Sequence, residues 1–147
     1  MEHEEYMRQA LELARLAMAE GEVPVGCVIV RDGAVVGRGR NRRETAQTAL
    51  GHAELEAIAQ ACRTLGGWRL AGCALYVTLE PCPMCAGAIV NARIPAVYYG
   101  AKDDKAGCCG SVLNLFEERF GHKPRIYGGL LAEESRALLH EFFHNLR

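Results

Sequence analysis

The sequence lacks any apolar run long enough to cross a membrane. Its longest near-apolar stretch, VPVGCVIV, falls well short of the ~20 residues that a helical span needs. The first residues, MEHEEYMRQA, are acidic rather than basic and then apolar, so no export signal is expected either. Both absences predict a cytoplasmic protein with no membrane partner. Neither sign of charge is in excess: 17 Lys and Arg against 18 Asp and Glu leave a net charge of -1. That excludes a generally basic surface and leaves any nucleic-acid affinity to local clusters. Proline is scarce, with five residues, and no low-complexity tract or internal repeat is present, so a disordered or fibrous chain does not fit. With no export signal expected, seven cysteines, an odd number, point to reduced thiols or metal ligands rather than a disulfide framework. At 147 residues, half of them hydrophobic, the chain reads as one globular domain over 1–147.

Apolar residues recur at helical spacing from Glu4 to Ala19, with Gly21 as a stop. VGCVIVRDGAVVGRGR then places two β-branched runs around Asp32-Gly33, a hairpin signal. In the helix predicted over 52–65, Leu55, Ile58, Ala59 and Cys62 form one stripe. CALYVTL at 73–79 reads as a buried strand, PCPMCAGAIVNA as a helix opened by Pro83, and AVYYG as a strand, which makes a right-handed crossover with parallel neighbours. A loop with a short helix follows over 101–124. RIYGGLL is a last strand, and Leu138, Leu139, Phe142, Phe143 and Leu146 mark a final amphipathic helix.

The chemistry concentrates in LEPCPMC at 79–85. A CxxC at a helix start suits a redox pair, because the helix N-terminus favours a thiolate. It suits a metal equally well. HAE at 52–54 lies 30 residues before Cys82, also at the start of a predicted helix. One imidazole from His52 and two thiolates from Cys82 and Cys85 make three zinc ligands, which leaves the fourth tetrahedral position open for chemistry. Glu54, at a capping turn, reaches the open side, where a carboxylate can transfer protons. Were Cys108 or Cys109 a fourth ligand, the site would be closed and structural, and Glu54 would have no task. Cys27, Cys62 and Cys73 read as small buried hydrophobes.

HAE followed by EPCPMC resembles the zinc-dependent cytidine and nucleobase deaminase superfamily. Within it the chain is similar to the bacterial tRNA-specific adenosine deaminases, which convert adenosine to inosine at the wobble position of an anticodon. GEVPVGCVIV, RNRRET, HAELEAI, GWRL, LYVTLEPCPMCAGAIV, GAKDDKAGCCGS and FFHNLR carry the similarity over nearly the whole chain. The resemblance implies a three-layer α/β/α cytidine-deaminase-like fold with a five-stranded mixed sheet, and a hydrolase with one zinc per subunit. A homodimer whose interface helps form the active sites is implied as well, with a tRNA anticodon stem-loop as substrate. By match, His52, Cys82 and Cys85 are zinc ligands and Glu54 the proton shuttle. Asn41 would contact the base and the backbone beside Ala53 would hold the ring. Asp103, Lys105, Phe143 and Arg147 match regions that meet the flanking nucleotides. Cys27, Cys108 and Cys109 depart from the pattern, standing where small residues are frequent.

RGRNRR sets Arg38, Arg40, Arg42 and Arg43 around Asn41: phosphate-binding charge beside a base-reading amide, or a solvated turn with ordinary surface arginines. Of Phe142 and Phe143, at most one can face RNA. The nearest rival function is guanine deamination, the same chemistry on a free base. A thiol-disulfide oxidoreductase and a zinc-binding interaction module are the rivals from other classes.

Overall fold

In β1 (Gly26–Arg31) and β2 (Ala34–Arg40) the two β-branched runs pair antiparallel across Asp32 and Gly33. Both turn residues have positive φ, 50° and 78°, as a two-residue turn of this hand demands. The computed structural model describes residues 2–145. Around this hairpin the chain adds α1 (Glu2–Ala19), α2 (Ala53–Leu65), β3 (Cys73–Leu79), α3 (Pro83–Asn91), β4 (Ala96–Ala101), β5 (Arg125–Tyr127) and α4 (Ala132–Asn145). A 3-10 turn, Leu115–Glu117, interrupts the long connection before β5.

The sheet has five strands in the order β2-β1-β3-β4-β5. β1 runs antiparallel to β2 and β3, whereas β3, β4 and β5 are parallel, so the sheet is mixed. The central strands are buried on both sides, and successive residues serve opposite layers. Cys27, Ile29, Leu75 and Val77 join the cluster of α2 and α3, while Val28, Val30 and Tyr76 join that of α1 and α4. The result is a three-layer α/β/α fold. No helix among the described residues is long and apolar enough to cross a membrane.

Three expectations are corrected by packing. On α2 the fully buried hydrophobic face is Ala53, Ala57 and Ala61; of the expected stripe, Ile58 and Cys62 pack part-buried against the edge of the core, Leu55 is part-buried and Ala59 is exposed. The cause lies in β2, where a Cβ on Gly37 or Gly39 would overlap the α2 backbone, so helix and strand approach to a separation that only alanines fit. The last strand stops at Tyr127, since Gly128 and Gly129 turn the chain into α4. On α4 only Ser135 and Leu138 are buried, and Phe143 is 51% exposed. Leu146 and Arg147 lie outside the described residues.

Candidate active site

Two helices begin at the same end of the sheet. α2 starts after His52 and α3 after Cys82, each cap residue holding an extended backbone, with Pro83 at the first position of α3. Their positive ends converge, which favours anionic sulfur there. His52 Nδ1 stands 3.6 Å from Cys82 Sγ and 3.4 Å from Cys85 Sγ. The donor atoms of all three lie within 4.8 Å of one another. The Cys82 thiol is held down to about 4 by the hydrogen bond from Cys85, against burial and with help from His52. The Cys85 thiol is pushed up, and the imidazole of His52 gains basicity from Cys82. Two sulfurs, one already favoured as thiolate, and one imidazole nitrogen form a soft, borderline donor set that fits a divalent ion such as zinc. Among the described residues the ligand cluster is confined to these three, and Cys108 and Cys109 stand outside it.

Glu54 is the second residue of α2 and 4% exposed. Burial raises its carboxyl to about 7, opposed by its own backbone N–H and by His52. Over this floor opens a cavity of about 220 Å³, lined among others by Asn41, His52, Ala53, Glu54, Cys82 and Asp103. That is smaller than the ~300–1,000 Å³ of drug-sized ligand sites and matches a single flat ring system. Asn41 is 7% exposed, and its Nδ2 donates to the Val23 carbonyl at 3.4 Å. Its Oδ1 has no hydrogen-bond partner among the described residues, an acceptor left free at the pocket wall.

The expected site residues separate into two groups. His52, Ala53, Glu54, Cys82, Asn41 and Asp103 all line the pocket, and Cys85 completes the ligand cluster beneath it. Lys105 is exposed on the same loop as Asp103 but is not among the lining residues, and Phe143 sits on the outer end of α4. Arg147 is outside the described residues. The four-arginine cluster is smaller in effect than its sequence suggests: Arg40 is paired with Glu20 at 2.8 Å and Arg42 with Glu56 at 3.5 Å. Arg43 remains at the pocket.

Two buried carboxylates went unnoticed in the sequence. Glu22 accepts from the N–H groups of Glu44 and Thr45 at 3.2 and 2.6 Å and from the Thr45 hydroxyl, tying down the segment after Asn41. Glu80, itself a pocket residue, accepts from the loop after Asp103. The one available signal was an acidic residue flanked by apolar neighbours, as Glu80 is by Leu79 and Pro81.

A mixed sheet with histidine and paired cysteines at two converging helix starts, and a buried carboxyl beside them, defines the nucleobase deaminase class. Known proteins agree. A family model described as MafB19-like deaminase matches residues 1–147. A tRNA-specific adenosine deaminase of Bacillus subtilis is 50% identical over 97% of this chain and 89% of its own. A structure solved in a study of A-to-I editing by tRNA:A34 deaminases superposes with a TM-score of 0.89 at 46% identity, covering 92% of this chain and 99% of that one. The guanine deaminase of Bacillus subtilis is 45% identical, but the match covers 69% of this chain and 66% of that one, with a TM-score of 0.67. The chain belongs to the MafB19-like deaminases, and within them to the family of the tRNA-specific adenosine deaminases.

Proposed function

We infer that this protein is a hydrolase that deaminates adenosine to inosine at the wobble position of a tRNA anticodon loop. The observation that carries the reading is the convergence of His52, Cys82 and Cys85 beside Glu54 at the floor of a pocket sized for one base. His52 Nδ1, Cys82 Sγ and Cys85 Sγ would hold one zinc, which when bound supplies a Lewis acid that lowers the pKa of water from about 15.7 toward about 7.

The chain's own residues do the rest. Glu54 takes a proton from the attacking water and delivers it to the ring nitrogen beside the reacting carbon; it then takes the proton of the hydroxyl now on that carbon and passes it to the leaving amine, so that the carbonyl forms, the C–N bond breaks, and adenosine and water become inosine and ammonia. Asn41 offers its free Oδ1 to the base edge, and the backbone at Ala53 supports the ring. Asp103, Lys105, Phe143 and Arg147 are proposed to meet nucleotides on either side. An anticodon loop presents its base nearly unstacked, which reduces a flipping cost of a few kcal/mol.

The whole chain, 1–147, would act as one cytoplasmic domain. A homodimer is supported by apolar surface around α3, where Trp68 and Phe120 are 51% and 56% exposed and shallow grooves run on both sides of the helix. Light scattering of the purified protein reads the mass directly, and a monomer at all concentrations removes that part of the proposal.

The activity is tested by nucleoside analysis after incubating zinc-loaded protein and its Glu54→Ala variant with an anticodon stem-loop carrying a wobble adenosine. Inosine from the parent alone is expected. Ammonia from guanine with no inosine from RNA would replace the reading by the free-base one that the guanine deaminase similarity also allows.

A further inference from the structure

Glu80 is 2% exposed, lines the pocket, and stands two residues before Cys82, yet nothing in the deamination steps above employs it. Its surroundings show why. Oε1 accepts from the Asp103 N–H at 3.0 Å and from the Ser111 hydroxyl, and Oε2 accepts from the N–H groups of Cys109 and Ser111 at 2.9 and 3.1 Å. An ionised carboxylate has about four lone-pair sites, and here four donors fill them. No acceptor capacity is left for a substrate proton.

All four donors come from one segment, residues 103–111, which contributes Asp103 and Ala106 to the pocket wall. Apart from Cys108 and Cys109, whose side chains are buried in the main core, the segment has few other anchors. It forms no strand apart from a single bridge between Cys109 and Asn114, and its other bonds are short-range, as from Gly107 N–H to the Asp103 carbonyl at 2.8 Å. One bond, from Cys108 N–H to the Pro81 carbonyl at 2.8 Å, joins it to the same strand end. The loop is folded around the carboxylate so tightly that a Cβ on Gly107 would overlap the Glu80 carboxyl.

We propose that Glu80 is a positioning residue for base binding: its saturated carboxylate holds residues 103–111 as a preformed wall of the pocket and takes no part in proton transfer. The wall then needs no ordering when RNA arrives, so the effect of Glu80 falls on binding rather than on the chemical step. This inference rests on the adenosine deaminase reading.

Glu80→Gln keeps the shape but turns an NH2 group toward at least one backbone N–H. With the anticodon stem-loop as substrate, its KM rises about tenfold while kcat stays within about threefold of the parent, the loss expected for one buried donor left unpaired. Hydrogen exchange of the free protein speeds up over 103–111 and not at 52–54 or 82–85, and bound zinc per subunit is unchanged. Ser111→Ala removes one donor and leaves Glu80 in place, so it raises KM by about threefold, and Ser111→Thr restores it. If Glu80→Gln yields no folded protein, the Ser111 pair decides by the same measurement. A kcat fallen a hundredfold or more at unchanged KM would make Glu80 a participant in the chemistry and overturn the proposal. Unchanged KM and unchanged exchange, with inosine made normally by the parent, overturn it as well while leaving the activity intact. No inosine from the parent sinks the activity and this inference together.

Discussion

The start of α2 and the end of β3 each carry a buried glutamate facing the same pocket, and the two are opposites. Glu54 is 4% exposed and Glu80 2%, and at each of them desolvation is the largest single influence and acts against the charge. At Glu54 burial prevails and the carboxyl rises to about 7, because its backbone N–H and His52 only partly offset the loss of water. At Glu80 burial also pushes up, but the Ser111 hydroxyl and three N–H groups outweigh it and hold the carboxyl below the usual range. Burial by itself therefore does not make a proton shuttle. The deciding quantity is how many donors the fold aims at the oxygens: many produce a fixed anion and a rigid loop, few produce a group that can change charge.

The largest effect expected from this contrast is on Glu54. Glu54→Gln removes the proton acceptor and should lower kcat by about 10²–10⁴, the usual share of general acid–base catalysis. Its thermal midpoint should equal or exceed that of the parent, since a poorly satisfied buried carboxyl is replaced by a neutral amide. Calorimetry together with single-turnover inosine formation checks both halves. A large fall in midpoint would mean that Glu54, like Glu80, is a structural anion, and the comparison would collapse.

A middle-sized effect should follow from crowding the cradle without altering its carboxylate. Gly107→Ala sets a Cβ against the Glu80 carboxyl and 2.5 Å from the Asp103 carbonyl oxygen. Overpacking of this kind costs about 1–3 kcal/mol. Urea unfolding would show it as a lower midpoint at unchanged slope. The same change at the surface glycine Gly67, where an added Cβ meets nothing within 4 Å, serves as control.

How much of this was legible in sequence follows from distance along the chain. The Cys82 and Cys85 pair, the Asp32-Gly33 turn and the β3–α3–β4 crossover all declare themselves within a few residues, and the structure has them where the spacing puts them. His52 could be joined to the cysteines because each stands at a helix start, a pattern visible without knowing the fold. Glu80 was opaque because its donors lie 23 to 31 residues away and are mostly backbone N–H groups, which leave no trace in residue type. The α2 stripe misled for a related reason: Gly37 and Gly39 on another element determine which side of the helix is pressed against the sheet. Arg40 and Arg42 looked free because Glu20 and Glu56 reach them only after folding.

The smallest predicted effect separates a structural anion from a mere space-filler, using the third buried glutamate. Glu22, 2% exposed, is pushed up by burial but held below the usual carboxylate range by the Thr45 hydroxyl and the N–H groups of Thr45 and Glu44. A folded-state value lower than the unfolded one, about 4.3 for a free glutamate, means that ionised Glu22 stabilises the fold fully above that pH. The contribution is lost as pH falls through the lowered folded value. Glu22→Gln has no such loss. Parent and variant should thus differ by about 1 kcal/mol at neutral pH, the net value of a buried hydrogen bond left imperfect, and the gap should shrink below about pH 4.3. Because the variant leaves Glu54, His52 and the cysteines untouched, kcat at pH 7 should stay near that of the parent. Urea midpoints of both proteins from neutral to acid pH decide the matter: a gap that does not vary with pH would show that Glu22 only fills space, and that abundant donors do not suffice to make a carboxylate a structural anion.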